Sequence, residues 1–189
     1  MDDRNTGQAG GGRMAPGALL RRFCRDRKGV AAIEFAALAI PFFLMLFAIL
    51  ESCISFAAQQ LMTNATLDVA RQLRTGEIKP ATLSEKELRD MLCARIRLLV
   101  ADNCPELEVD LRTYDTFEEA ARVRIKFTPD GDLDTSDFKV EPGASLSKNM
   151  LRVFYRWPVM TDLLRKSMSN LPGGKTLLFS TTTWQNEPY

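Results

Sequence analysis

A chain of 189 residues, 46% apolar and 26% charged, has room for one folded domain beside a single membrane segment, and no internal repeat divides it further. It contains no histidine, which removes the commonest general base and metal ligand. With no Gly-x-Ser-x-Gly either, neither an enzyme nor a cofactor is expected. The formal net charge is +1 but unevenly spread: residues 1–29 carry seven Lys/Arg against three Asp/Glu, residues 30–58 carry two Glu, and the rest carries 18 against 19.

Residues 1–17 are rich in Gly and polar residues, lack apolar periodicity and are predicted to be disordered. Arg21 to Lys28 is a basic patch, sufficient as a topology signal and suited to anionic lipid. Cys24 within it is expected to stay a free thiol in a reducing cytosol. Positive charge beside a lone span keeps that end cytoplasmic, so everything after about Ala58 is expected outside, in the periplasm of a Gram-negative cell.

Val30 to Leu50 is apolar apart from Glu34. A helix needs about 20 apolar residues to cross ~30 Å of hydrocarbon, and this segment supplies 21. A carboxylate inside such a span costs roughly 2.5 kcal/mol or more, so it is rarely idle. Glu34 is the fifth residue after Gly29, which closes the basic leader, and Phe35 follows it. Basic leader, Gly, four apolar residues, Glu-Phe and a long apolar helix resemble the processing site of type IV prepilins and pseudopilins. Pro41 is compatible, since proline inside a membrane helix is tolerated and bends it.

Three other readings of this segment are open. A plain signal anchor would let Glu34 snorkel to the headgroups. A cleaved secretory signal could end at Ser55-Phe56-Ala57, although the apolar core is long for one and Glu51 intervenes. Leu50-Glu51-Ser52-Cys53 loosely resembles a lipobox, with Glu where a small residue belongs.

Beyond the span, Ala58, Leu61, Met62, Ala65, Val69 and Leu73 recur at steps of three and four, which predicts an amphipathic continuation of the same helix to about Thr75. Gly76 is a suitable stop, able to take the left-handed cap conformation. Ser84 to Glu87 reads as a capping box. It opens a second helix with Leu88, Met91, Leu92, Ile96 and Leu99 on its buried face.

Leu107, Val109 and Leu111 alternate with Glu106, Glu108 and Asp110. Val123, Ile125 and Phe127 alternate with Arg122, Arg124 and Lys126. Both read as half-buried strands. Their opposite charges suggest neighbours in one ladder, with both charged rows solvent-exposed. A nucleic-acid role for the basic row is not expected, because the acidic row would neutralise it.

Asp130 to Asp137 is a turn with clustered carboxylates. Calcium would suit such a cluster, but the spacing departs from an EF-hand loop and a solvated turn is expected. Met150 to Trp157 is predicted as a strand with Leu151, Val153, Tyr155 and Trp157 on one face, ending at Pro158. A short helix over Val159 to Met168 and a last strand over Thr176 to Trp184 follow. Gly173-Gly174-Lys175-Thr176 imitates the end of a phosphate loop, but it lacks the upstream glycine and precedes a strand.

The mature chain resembles the TadE-like pilus assembly family, minor pseudopilins of the tight-adherence (Flp-type) system. The residues that carry the likeness are Gly29 to Phe35 with Pro41, the pair Cys93 and Cys104, Tyr155-Arg156-Trp157-Pro158, and the terminal Asn186-Glu187-Pro188-Tyr189. The resemblance implies a pilin-like α+β fold, in which a long N-terminal helix packs on a small antiparallel sheet with one or two further helices. The expected organisation is a leader over 1–29, a membrane helix over 30–58 continuing to about 75, and an extracytoplasmic domain over 77–189. It implies cleavage between Gly29 and Val30 by a prepilin peptidase, assembly roles for Glu34, Phe35 and Pro41, and residence in the inner membrane. The implied partners are other pilus assembly proteins and pilin subunits; no nucleic acid, metal or small-molecule substrate is implied. A Cys93–Cys104 disulfide is expected in an oxidising compartment, closing a short loop and contributing roughly 3 kcal/mol; two unpaired buried thiols are the alternative. A bitopic anchored protein of unrelated role is the other functional reading.

Overall fold

The computed structural model describes residues 29–189. The segment 1–17 expected to be disordered, the basic patch and Cys24 lie outside the described residues. The chain divides into two compact units, 1–45 and 46–189. Helix α1 (Val30–Arg74) supplies residues to both and includes Pro41.

Residues 29–45 form the described part of the first unit. Residues 30–45 are helical throughout and none is buried. The rings of Phe42 and Phe43 meet edge to face, centroids 5.6 Å apart. The apolar stretch of α1 is long enough to cross a membrane, and none of it is buried in the protein.

The second unit begins with the rest of α1. Here Ala58, Met62, Ala65, Val69, Ala70 and Leu73 are buried along one stripe, the pattern of a helix lying on a core. Gly76, at φ +75°, ends the helix as expected. The Tyr189 ring lies against it, where a Cβ would come within 2.7 Å. Helix α2 (Glu85–Ile96) starts at the expected capping box: the Glu87 amide donates to Ser84 Oγ, and the Ser84 amide donates back to the Glu87 carboxylate. It buries Leu88, Leu92 and Ile96.

Strand β1 (Leu107–Tyr114), helix α3 (Phe117–Arg122), strand β2 (Lys148–Pro158), helix α4 (Asp162–Met168) and strand β3 (Lys175–Gln185) complete the α-helices and strands of the described residues. The sheet is antiparallel in the order β1-β2-β3. Its inner face carries Leu107, Val109, Leu111, Leu151, Val153, Tyr155, Trp157, Leu178 and Trp184, which form one core with α1 and α2. Each fully buried Leu or Val contributes about 1.5–3 kcal/mol. The α+β architecture, a long helix on a small antiparallel sheet, is the one expected.

The expected pairing of residues 106–111 with 122–127 is overturned. β1 pairs with β2, Leu107 opposite Tyr155 and Asp110 opposite Arg152. The other edge of β1 is covered by residues 139–141, where the Leu111 amide donates to the Lys139 carbonyl and the Glu141 amide to that of Leu111, both at 2.7 Å. With β2 on one edge of β1 and residues 139–141 on the other, 122–127 does not pair with β1. Its first residue ends α3, which Thr116 caps by accepting the Glu119 amide, and Phe127 makes one bridge to Leu133. The acidic row is not solvent-exposed as expected: Asp110 is 0% exposed. The short helix also starts later than expected, at Asp162 rather than Val159.

Candidate functional site

The N-terminal junction is the first candidate. Gly29 immediately precedes α1, and a Cβ placed there would meet nothing within 4 Å. Glu34 stands one turn above Val30, about 6 Å along the axis, exposed and with no hydrogen bond or ion pair among the described residues. Phe35 is 71% exposed. Pro41 sits inside the helix without ending it. Gly29, Val30, Glu34 and Phe35 therefore gather in the first turns of one helix. Cys93 and Cys104 belong to the second unit.

The second carboxylate of α1, Glu51, behaves differently. Its oxygens accept the Met160 amide, the Thr161 amide at 3.1 and 3.2 Å, and the Thr161 hydroxyl. Thr161 precedes α4 but makes no side-chain cap of its own. A carboxylate arriving from α1 supplies the acceptor for amides that have no intrahelical partner. This tie holds residues 158–168 against the helix where its apolar run ends. The sequence does not single out Glu51 for this role, and no local signal marks it, since its partners lie 109 and 110 residues away and Thr161 is itself a suitable cap residue.

Cys93, near the end of α2, is bonded to Cys104, with Cα atoms 5.8 Å apart. The loop between them closes through Asn103 and Cys104, both left-handed at φ 64° and 44°. Cys53 is a free, exposed thiol.

The outer face of the sheet is an ionic layer. Arg152 donates to Asp110 Oδ2 at 2.6 and 2.9 Å, and Arg112 to its Oδ1 at 2.7 Å. Asp110 also accepts the Lys139 amide at 3.0 Å, so this buried carboxylate is satisfied on both oxygens. Arg156 bridges Glu108 at 3.2 Å and Asp132 at 3.0 Å, and Lys175 reaches Glu106 at 2.6 Å. The acidic row of β1 is thus neutralised by β2 and β3.

The acidic turn is drawn into the same layer. Burial opposes ionisation of Asp132, but hydrogen bonds from Arg156 and the Leu133 amide outweigh it and hold the carboxyl below its ordinary value. Asp134 accepts from Ser136, and Asp137 from Lys126, each lowering the carboxyl concerned. These acids face different partners. Among the described residues no three His, Cys, Asp or Glu converge as metal ligands.

The two C-terminal motifs have structural roles. Tyr155 and Trp157 are core residues, and Arg156 between them serves the ionic layer. Asn186 is 3% exposed. Its amide nitrogen donates to the Gly143 and Ala144 carbonyls and to Tyr189 Oη, each at 2.9 Å, while its Oδ1 accepts the Trp184 indole at 2.7 Å.

Residues 29–71 match the family model described as TadE-like protein. The match starts at Gly29 and covers α1 almost to its end, in agreement with the resemblance read from the sequence. TadE-like proteins are a pilus-associated structural family. No curated protein and no solved structure matches the chain.

Proposed function

We propose that this chain is a minor pseudopilin-like subunit that acts in assembling a tight-adherence pilus. Its leader is removed between Gly29 and Val30 by a prepilin peptidase, and the mature protein is held in the inner membrane by the start of α1, with the sheet domain in the periplasm. The observation that carries this reading is the start of the TadE-like match at Gly29, directly before a helix whose fifth residue is the unpartnered Glu34. A flexible glycine at the headgroup level is open to a peptidase. Beyond the first turn of α1, helical hydrogen bonds satisfy the backbone, which protects it.

Cleavage would leave an amino group at Val30, one turn below Glu34. Paired in its own chain or with a neighbour's, that group would neutralise the carboxylate in a medium of low dielectric. Pro41 and the exposed Phe35 would shape the same segment for contact with pilin subunits. Nothing in this reading requires catalysis. Glu34→Ala tests it: membrane insertion should be kept or improved while piliation of the cells fails. Normal pili in that variant contradict the reading.

A further inference from the structure

The Asn186 amide donates to the Ser147 carbonyl at 2.9 Å, which fixes the phase of the β2–β3 ladder. Even-numbered residues of β3 turn their main-chain groups to β2, and odd-numbered residues turn theirs outward. The protein uses most of the outward groups itself. The Lys175 carbonyl accepts the amides of Asn170 and Leu171, the Leu177 amide donates to Asn170 Oδ1, and the Phe179 carbonyl accepts the Gln59 side chain at 2.8 Å. At Thr181 and Thr183 no such partner exists among the described residues, and both residues are exposed.

Open strand edges are normally guarded by lysine, proline, a bulge or a covering segment. β1 has its cover, residues 139–141. β3 is tied to α1 at Phe179 and, just past its end, at Glu187, whose amide donates to the Arg74 carbonyl at 2.9 Å, but it has no cover at Thr181 and Thr183 between them, and from Thr176 to Gln185 it contains no charge and no proline. Beside this edge, on the outer face, lies a groove lined by Phe117, Ala121, Ile125, Phe179 and Arg124. Arg124 is exposed and makes no ion pair among the described residues, unlike Arg112, Arg122, Arg152 and Arg156.

We propose that the edge of β3 from Phe179 to Gln185 receives an extended segment of another protein by strand addition. The occupant carries an apolar residue for the groove between Phe179 and Ile125 and, two residues away on the same face, an acidic residue for Arg124. Main-chain bonds to Thr181 and Thr183 supply affinity, and the two side chains supply selectivity. The site belongs to the sheet alone and is independent of the pilus reading.

Proline separates this site from the fold. At Thr181 it removes an outward N–H and leaves the β2 ladder intact, a placement that edge strands tolerate. The experiment places a benzophenone amino acid at Thr183 of the full chain in native membranes, irradiates, and maps the crosslinked peptide. The expected product joins residue 183 to an extended segment of a different protein with the apolar–acidic alternation. Its yield should drop about tenfold in Thr181→Pro, as one bond is lost and its acceptor stranded, and severalfold in Arg124→Glu, with the unfolding midpoint unchanged. Should Thr181→Pro misfold, Thr183→Pro with the probe at Thr181, and Arg124→Glu, decide in its place. No crosslink, a crosslink to a second copy of this chain, or a yield indifferent to these substitutions overturns the proposal.

Discussion

Two parts of α1 have similar helical backbones and opposite surfaces. From Val30 to Leu50 the helix is apolar on all sides and buries none of them. From Glu51 to Arg74 it buries a stripe that includes Met62, Val69 and Leu73 and exposes Gln60, Asn64 and Arg71. A helix apolar all round requires an apolar surround, whereas a striped helix requires only a protein surface. Helical propensity does not make the distinction; the arrangement of side chains does. The two acids mark it too: Glu34 has no partner among the described residues, and Glu51 holds the amides before α4.

The sharpest break of this comparison is a charge on each part. Val69→Asp puts an unpaired carboxylate into the core, at a cost of about 5 kcal/mol or more, and should abolish cooperative unfolding of the domain in far-UV dichroism. Leu38→Asp should leave the domain's unfolding midpoint where it is and reduce extraction with the membrane fraction.

A second test targets the layer behind the striped half. Asp110→Ala leaves Arg152 buried without its counter-charge, and losing one partner of a buried pair costs about 3–5 kcal/mol. Denaturant titration should show that loss, and Arg152→Met in the Asp110→Ala background should restore part of it.

Removing the Glu51 tie should have a smaller, local effect. Glu51→Ala strips an acceptor from the segment before α4, worth about 1 kcal/mol by analogy with lost caps. Hydrogen exchange of residues 160–168 should accelerate while the amides of β2 stay protected.

The smallest effect is on acid stability. Asp68, held by Arg95 and Arg71, and Asp132, where bonds from Arg156 and Leu133 outweigh burial, have folded values below the ordinary 3.8. Their stabilisation is full above that value and is lost as pH falls through the lower folded ones. The unfolding midpoint should therefore be flat from neutral pH to about pH 5 and decline below about pH 4.

Much of the fold was legible because it is written in local periodicity. The stripe from Ala58 to Leu73, the box from Ser84 to Glu87, the stop at Gly76 and the inner face from Leu151 to Trp157 each follow from a few neighbouring residues. The pairing of β1 was not legible. Alternation in residues 122–127 shows which side chains share a face and says nothing of whether an edge is free. The segment that takes that edge, Lys139 to Glu141, has no strand signature of its own. Thr116 and Glu119 did carry a capping signal for α3, masked by the alternation that follows. The role of Glu51 was invisible for another reason: its partners lie 109 and 110 residues away.

The helix beginning at Val30 is proposed to be a processed membrane segment of a pilus assembly subunit. Amino-terminal sequencing of the protein purified from membranes tests it most directly. The account predicts a mature start at Val30, reading VAAIEF. An intact Met1 would contradict it in favour of a plain anchor, and a start near Ala58 would contradict it in favour of an ordinary secreted protein.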